Sequence, residues 1–471
     1  MDELVTSAQT VITCRNSQGT ELTANLLHLK RYSVVFEVYN PYSILQLSEV
    51  LSEFRILAGK RLLYQGKAVV SNLLNTGIVL VCEATLEDGW VEVDFLSGVG
   101  GGDIGGEFAG YMQEWKRANR VEDRFKLVVA DMANMLTGVQ HWLAGVDVGI
   151  RTTVTRRRAE LEREIFAKVE RRVTDEVLPA MEVFERAAQQ VPEGQEAVHK
   201  SYARRELHPL VLCAPFVYRT YTKPLGYAGD YEMVNMMMRD PFEGASAFAK
   251  LLNNAMMRTE PVVAHRNRID YLVGLLEREA TARRGRGPTR VFNLGCGPAV
   301  EVQRLLLGHA ACDLLEFDLL DFNADTLEFT RRELDGIRQR AGRSTVIRYH
   351  QRSVHQILRA AAQDGGREEF GSYDVIYCAG LFDYLSQRVC ARLVELFCEM
   401  ARPGGLVVVT NVSDANPRKR FMEYVVEWNL IYRGRREMEG LVPAGRRFAR
   451  TAVNADPTGV NLFLELELPD E

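Results

Sequence analysis

From about residue 261 onward, short apolar runs and helical segments alternate along the chain. No other feature constrains the fold as strongly. "RVFNLG" (290–295) is followed by a helix from 299, and "CDLLEFDLLDF" (312–322) by one from 324. "TVIRYHQ" (345–351), "YDVIYCAG" (373–380), a helix over 387–401, "GGLVVVTNVS" (404–413) and "VNLFLELEL" (460–468) complete the series. Alternation of this kind implies a mostly parallel sheet with helices on both faces. Such a sheet takes its ligand at the carboxyl ends of the strands, where the strand order reverses.

The first strand-to-helix turn of the series is "VFNLGCGPAV" (291–300). Gly295 and Gly297 suit a tight turn, because glycine tolerates positive φ, and they let a ligand approach the backbone. A dinucleotide site wants a third Gly or Ala three residues after the second, but Val300 stands there and Pro298 removes an amide. No Gly-Lys-Ser/Thr follows, which excludes a Walker phosphate loop. S-adenosyl-L-methionine carries no phosphate and needs only the close approach, followed by an acid for the ribose hydroxyls. That acid belongs at the end of the second strand, about 20 residues on. Glu316, Asp318 and Asp321 are available, and Asp321 is best placed, with Asn323 as N-cap of the next helix. Helix capping is the competing role for Asp321.

The rest of the chain reads differently. "SVVFEVYN" (33–40), "GKAVVSNLL" (66–74) and "GIVLVCEATL" (77–86) are strand-like, and glycine-rich "SGVGGGDIGG" (97–106) closes this segment. Residues 107–260 read as mostly helical. Over 155–177, Leu161, Ile165, Val169, Val173 and Val177 recur at spacing four among charges. This is a solvated helix with one packed stripe, or a homodimer face. Pro261 suits the first turn of a further helix. The 471 residues carry a net charge of −5, and no apolar run reaches the roughly 18–20 residues of a membrane span. That balance gives no support for nucleic-acid binding. The start "MDELVTSAQT" does not read as a secretory leader. Eight scattered cysteines without CxxC or Cys/His ligand spacing indicate a reducing cytoplasm and no structural metal.

Residues 291–297 and 321, with "YDVIYCAGLFDYL" and "ARPGGLVVVT", resemble the class I S-adenosylmethionine-dependent methyltransferases. The resemblance implies an α/β, Rossmann-like seven-stranded domain over 261–471, after a helical lid region (107–260) and a small N-terminal β-barrel (1–100). It implies that Asn293, Gly295, Cys296, Gly297, Asp321 and Phe322 contact the cofactor, although this family usually has an acid where Asn293 stands. Ser353 and Val354 fall near the adenine, Ser353 also being a cap for the next helix. Ala379, Gly380, Leu381 and Phe382 flank the methionine and sulfonium, with Phe382 facing the substrate and Asp383 in a positioning role. Arg266 or Arg268 is the candidate for the methionine carboxylate, and at most one of them faces the site.

Residues 205–238, "RELHPLVLCAPFVYRTYTKPLGYAGDYEMVNMMM", followed by "HRNRIDYL", narrow the likeness. They are similar to bacterial methyltransferases that make the extracellular factor 3-hydroxypalmitic acid methyl ester. The resemblance implies esterification of a fatty-acid carboxylate to a quorum-sensing signal. "KPLGYAGDYEMV" (223–234) is either a packed helix connection or a lid in which Tyr227 and Tyr231 cover the cofactor and Asp230 orients a substrate or a neighbouring Arg. A carboxylate is ionised at pH 7 and needs no general base. His208, His265, His350 and His355 are weak base candidates. The aromatic run 418–433, with Phe421, Tyr424, Val425, Trp428 and Tyr432, is either a core-facing stripe or a wall for an acyl chain. Methylation of another small molecule or a protein, and a cofactor-binding regulator without turnover, remain open.

The N-terminal segment resembles a PilZ-type barrel of the kind that senses cyclic di-GMP. Asn25 fits that family's ligand turn, but Leu27 and Lys30 replace its serine and glycine, and no RxxxR precedes them. The resemblance therefore implies a degenerate, non-binding module.

Overall fold

The structure, a computed structural model, describes residues 10–30, 32–38, 45–58, 61–75, 80–87, 120–361 and 372–470, with isolated positions between 106 and 116. The glycine-rich joint at 97–106 lies almost wholly outside them. The chain divides into two compact units. The first comprises Met1–Ala228, Phe242–Met256 and Arg418–Asn429. The second comprises Gly229–Pro241, Met257–Pro417 and Leu430–Glu471. This differs from a contiguous partition at 100, 107 and 261.

In the first unit, β1 (Thr10–Arg15), β2 (Glu21–Leu29), β3 (Ser33–Val38), β4 (Val50–Ala58), β5 (Arg61–Asn75) and β6 (Leu80–Leu86) form a closed barrel in the order β1-β2-β3-β6-β5-β4. Alternation along the strands buries Ile12, Val34, Phe36, Phe54, Ile56, Val70 and Ala84 completely. Closure, with β4 antiparallel to β1, leaves no free sheet edge.

Two long helices follow, Asp123–Thr152 and Thr155–Gln189. The stripe read over 155–177 is real. Val173 and Val177 are buried, Leu161, Ile165 and Val169 are half-buried, and Phe166 joins them. In the aromatic run the core-facing reading holds for Phe421 and Tyr424. Only Lys419–Val425 is helical, and Phe421 and Tyr424 pack on Phe184 with ring centroids 5.8 and 6.2 Å away. Glu427, at φ +52°, turns the chain, and the Trp428 amide closes back on the Met422 carbonyl. The stripe is core of the helical region. Phe421 and Tyr424 are buried in that packing and form no acyl wall, and Trp428 belongs to this unit.

The second unit holds a seven-stranded sheet. Its strands are β7 (Thr289–Leu294), β8 (Leu315–Asp321), β9 (Val346–Gln351), β10 (Tyr373–Cys378), β11 (Ala401–Val412), β12 (Arg450–Ala455) and β13 (Asn461–Glu467). The order is β12-β13-β11-β10-β7-β8-β9. β7 to β11 are mutually parallel, and β13 runs antiparallel to β11 and β12. Sequence reading misses β12, a short polar strand ("RTAVNA") at the sheet edge, where charge is tolerated. From β7 the chain steps outward to β8 and β9, then returns to pair β10 on the other flank of β7. The strand order therefore reverses between β7 and β10, and the crevice lies at their carboxyl ends.

Candidate functional site

The turn after β7 is tight. Gly295, Gly297 and Ala299 all have positive φ, +72°, +51° and +47°. The amides of Gly295 and Cys296 donate to the Leu320 carbonyl at 2.8 and 2.9 Å, which ties the turn to the end of β8. Thr330 Oγ1 donates to the Gly297 carbonyl at 2.7 Å, pinning its other side to helix Ala324–Arg340. A Cβ added to Gly295 would stand 3.3 Å from the Leu381 side chain. The Cys296 and Cys378 thiols are buried and held far above their ordinary pKa by desolvation, so neither is a ready nucleophile.

Asp321 ends β8 beside this turn. Its carboxylate accepts from the Gly297 amide at 3.1 Å and the Asn323 amide at 3.0 Å. Burial raises its pKa to about 6 in spite of those bonds. Asn323 caps the next helix by accepting from the Thr326 amide at 2.9 Å, which frees Asp321 from that duty. Phe322 is half-buried beside it. Ser353 caps helix Val354–Ala361 reciprocally: its amide donates to Gln356 Oε1 at 2.8 Å and its Oγ accepts from the Gln356 amide at 3.3 Å. Val354 is buried.

The helix Glu260–Ala282 gives the two arginines different surroundings, beginning with Arg266. Its guanidinium donates to the main-chain carbonyls of Met237 (2.9 Å) and Met257 and so works as a brace. Arg268 is 8% exposed, and its guanidinium nitrogens lie 3.0 Å from where a Gly380 Cβ would be, just past the end of β10. Among the described residues its hydrogen-bond partner is His265, with Nη2 to Nδ1 at 2.9 Å, and no carboxylate is in ion-pair contact with it. Burial and the adjacent arginines hold the His265 pKa well below its usual value, so the imidazole is neutral.

A second buried group lies across the turn. Glu301, in the first turn of helix Val300–Gly308, accepts at Oε1 from Tyr377 Oη (2.6 Å) and from Asn293 Nδ2 (3.3 Å). Asn293 Oδ1 is buried without a hydrogen-bond partner among the described residues. Sequence reading missed Glu301 and Tyr377: an acid in a helix's first turn is ordinary, and a tyrosine in a buried strand reads as core.

The remaining candidates separate. Asp383 accepts from the Val412 amide at 2.6 Å, its carbonyl accepts from the Ile431 amide, and burial raises its pKa to about 6. It is a strut at the end of β11. Phe382 is fully buried and presents no surface to a substrate. Ala379 and Leu381 are half-buried around Gly380. Asp230 caps helix Tyr231–Met238 through the Met233 amide at 2.9 Å. Tyr231 stacks on Phe329 with centroids 4.6 Å apart. Tyr227 and Trp428 lie in the first unit and are half-buried. Of the histidines, His208 Nε2 meets the Val425 carbonyl and His350 Nε2 meets Asp318, both at 2.8 Å. Burial holds the His355 pKa below its ordinary value. Among the described residues no three His, Cys, Asp or Glu side chains gather to hold a metal, and no helix is long and apolar enough to cross a membrane.

No protein-family model matches the chain, and no curated protein does. Similar solved structures include a possible exported protein from Bordetella parapertussis (16% identity, 65% of this chain and 97% of that one, TM-score 0.42). Another is the magnesium protoporphyrin IX methyltransferase of Synechocystis PCC 6803 with bound SAH (11% identity, 44% and 84%, TM-score 0.33). The N-methyltransferase NodS of Bradyrhizobium japonicum is a third (15% identity, 44% and 97%, TM-score 0.29).

Proposed function

We propose that this chain is an S-adenosylmethionine-dependent methyltransferase acting on a small molecule. The observation that carries this reading is a pair of unsatisfied groups of opposite type at the switch point. Arg268 is a buried cation with no carboxylate in ion-pair contact, and Asn293 Oδ1 is a buried acceptor without a donor among the described residues. Leaving either so is costly unless a ligand completes it. An α-amino acid end, carboxylate to Arg268 and ammonium to Asn293, answers both. The bare turn at Gly295 and Gly297 admits a ligand backbone-close, and Asp321 has lone pairs for a vicinal diol. These demands match the three parts of S-adenosyl-L-methionine, which supplies a methyl group on a sulfonium that is already a good leaving group.

The chain's own part in transfer is to hold the acceptor in line and keep water out. His208 meets a carbonyl, burial holds the His265 and His355 pKa values down, and His350 is held by Asp318 at the end of β9, so we assign no general base among the described residues. A carboxylate, ionised beforehand, fits best, and we keep a fatty acid as the substrate class on the likeness of residues 205–271. Phe382 is fully buried and offers no wall, and the half-buried Trp428 stays a candidate for an acyl chain.

Calorimetric titration with S-adenosylmethionine and S-adenosylhomocysteine tests the cofactor, and no binding of either rejects the reading. A labelled-methyl screen over C8 to C18 acids, peptides and amines tests the acceptor. Labelling of peptides or amines with no acid turned over overturns the carboxylate assignment. Binding without transfer to any acceptor points to a regulator.

A further inference from the structure

The unpartnered oxygen of Asn293 raises a question that the cofactor alone does not answer. A primary amide has one acceptor end and one donor end of nearly equal shape, and its neighbours decide which end faces where. Asn293 is 2% exposed and sits at the carboxyl end of β7, opposite Tyr377 of β10. Two neighbours compete for its amide. Tyr377 can donate or accept. Glu301 bonded to Tyr377 Oη acts as an acceptor at Oε1. An acceptor draws the NH2 end toward itself, and Nδ2 lies 3.3 Å from that same oxygen.

We infer that Glu301 is a positioning residue: it fixes the Asn293 amide with nitrogen inward and oxygen free, and so sets the site to receive a cationic donor, the ammonium of an amino acid end. This rests on the methyltransferase reading for the identity of that ligand. The groups around Glu301 agree with the role. Tyr377 donates to the oxygen that orients the amide, and burial raises the Glu301 pKa while the Tyr377 bond and the nearby Arg268, which does not touch it, offset part of that rise. Asp383, the other acid felt by Arg268, is engaged with the Val412 amide. Glutamine at 301 would match the shape of glutamate but offer an NH2 of its own. The Asn293 amide then gains by turning its oxygen inward, and its NH2 faces the ammonium.

The test compares two probes, S-adenosylhomocysteine, which has the amino acid end, and 5′-methylthioadenosine, which lacks it. Glu301→Gln should weaken the first about tenfold or more, the scale of one hydrogen bond to a charged group, and leave the second within about twofold. Asn293→Asp/Glu301→Gln should recover the wild-type ratio of the two affinities, because an aspartate has no donor end to misplace and the glutamine now donates to it. Equal losses for both probes in Glu301→Gln, or no loss, overturn the proposal. If Glu301→Gln does not fold, the double variant decides: a wild-type ratio supports the orienting role, and a collapsed ratio overturns it. A wild-type protein that binds neither probe refutes the methyltransferase reading instead, which keeps the two failures apart.

Discussion

Two arginines are buried at the carboxyl ends of this sheet, and their surroundings are opposite. Beyond β11, Arg433 is 1% exposed and every guanidinium nitrogen is answered: Nη1 by the Phe382 carbonyl and Asn411 Oδ1, Nη2 by the Leu385 carbonyl, Nε by Gln387 Oε1. Beyond β7 and β10, Arg268 is nearly as buried and has a neutral imidazole. The charge is the same and the burial similar, so the difference lies in valence. A saturated guanidinium knots loops together and has nothing left to offer. An unsaturated one is costly to the folded protein by itself and becomes favourable only with an anion. The contrast separates structural from receptive polar groups without reference to any relative.

The contrast is broken most forcefully at Arg433. Arg433→Met removes a charged donor from two carbonyls and two side-chain acceptors, and stability should fall by about 3–5 kcal/mol. Denaturant unfolding measures it, and the folded fraction should bind S-adenosylhomocysteine within about twofold of wild type. Arg268→Met should do the reverse. Affinity should drop by about 1.5–3 kcal/mol for the lost charged hydrogen bonds, with stability close to wild type, since no direct ion pair or carbonyl bond is lost. A destabilised Arg268→Met with intact affinity would equate the two arginines and end the distinction.

A pH titration sharpens the site's other half. Asp321 must be ionised to accept from two hydroxyls, and its pKa is raised to about 6. Below that value the dissociation constant should rise about tenfold per pH unit, and Asp321→Asn should flatten the profile. Stability runs the other way. A carboxyl whose folded pKa lies above its unfolded value favours folding below the unfolded value and loses that contribution as pH rises through about 6. The same holds for Asp383, also raised to about 6. Weaker binding at pH 5 therefore cannot come from these groups unfolding the protein. The smallest effect belongs to Arg266→Gln. Two donations to carbonyls are lost, stability should fall by about 1 kcal/mol, and calorimetry should find affinity unchanged.

How much of this was legible beforehand varies with the physics. β7, β10 and β11 were legible because strands buried on both faces are nearly continuous apolar runs, and the half-exposed edge strand β9 only from its place in the alternating series. β12 was not, since an edge strand carrying Arg450, Thr451 and Asn454 looks like a loop. Asp321 was legible from its place at a strand end. Arg268 was not separable from Arg266. Residues two apart on a helix point about 200° away from each other, so one faces inward, but the sequence does not say which. The 418–433 aromatics illustrate a different limit. Their spacing correctly reports a buried face, yet periodicity carries no information about what lies against it. Glu301 and Tyr377 become a pair only when the turn brings a helix's first residues over β10, a distance of 76 positions along the chain.

The chain passes between its two units after Ala228, Pro241, Met256, Pro417 and Asn429. The genetic consequence is that the sheet-bearing unit is not a cassette. A clone begun at residue 261 encodes all seven strands yet lacks helix Tyr231–Met238, and with it the Met237 carbonyl that holds Arg266 and the Tyr231 ring that covers Phe329. One ended at 417 loses β12 and β13. Recombination at either point would deliver a damaged sheet unit, so the helical region and the sheet are inherited together or not at all. The barrel strands occupy one uninterrupted stretch, from Thr10 to Leu86, yet the Val50 amide donates to the Gly226 carbonyl and Ser48 Oγ to the Asn429 carbonyl, so the barrel too is tied to late parts of the chain.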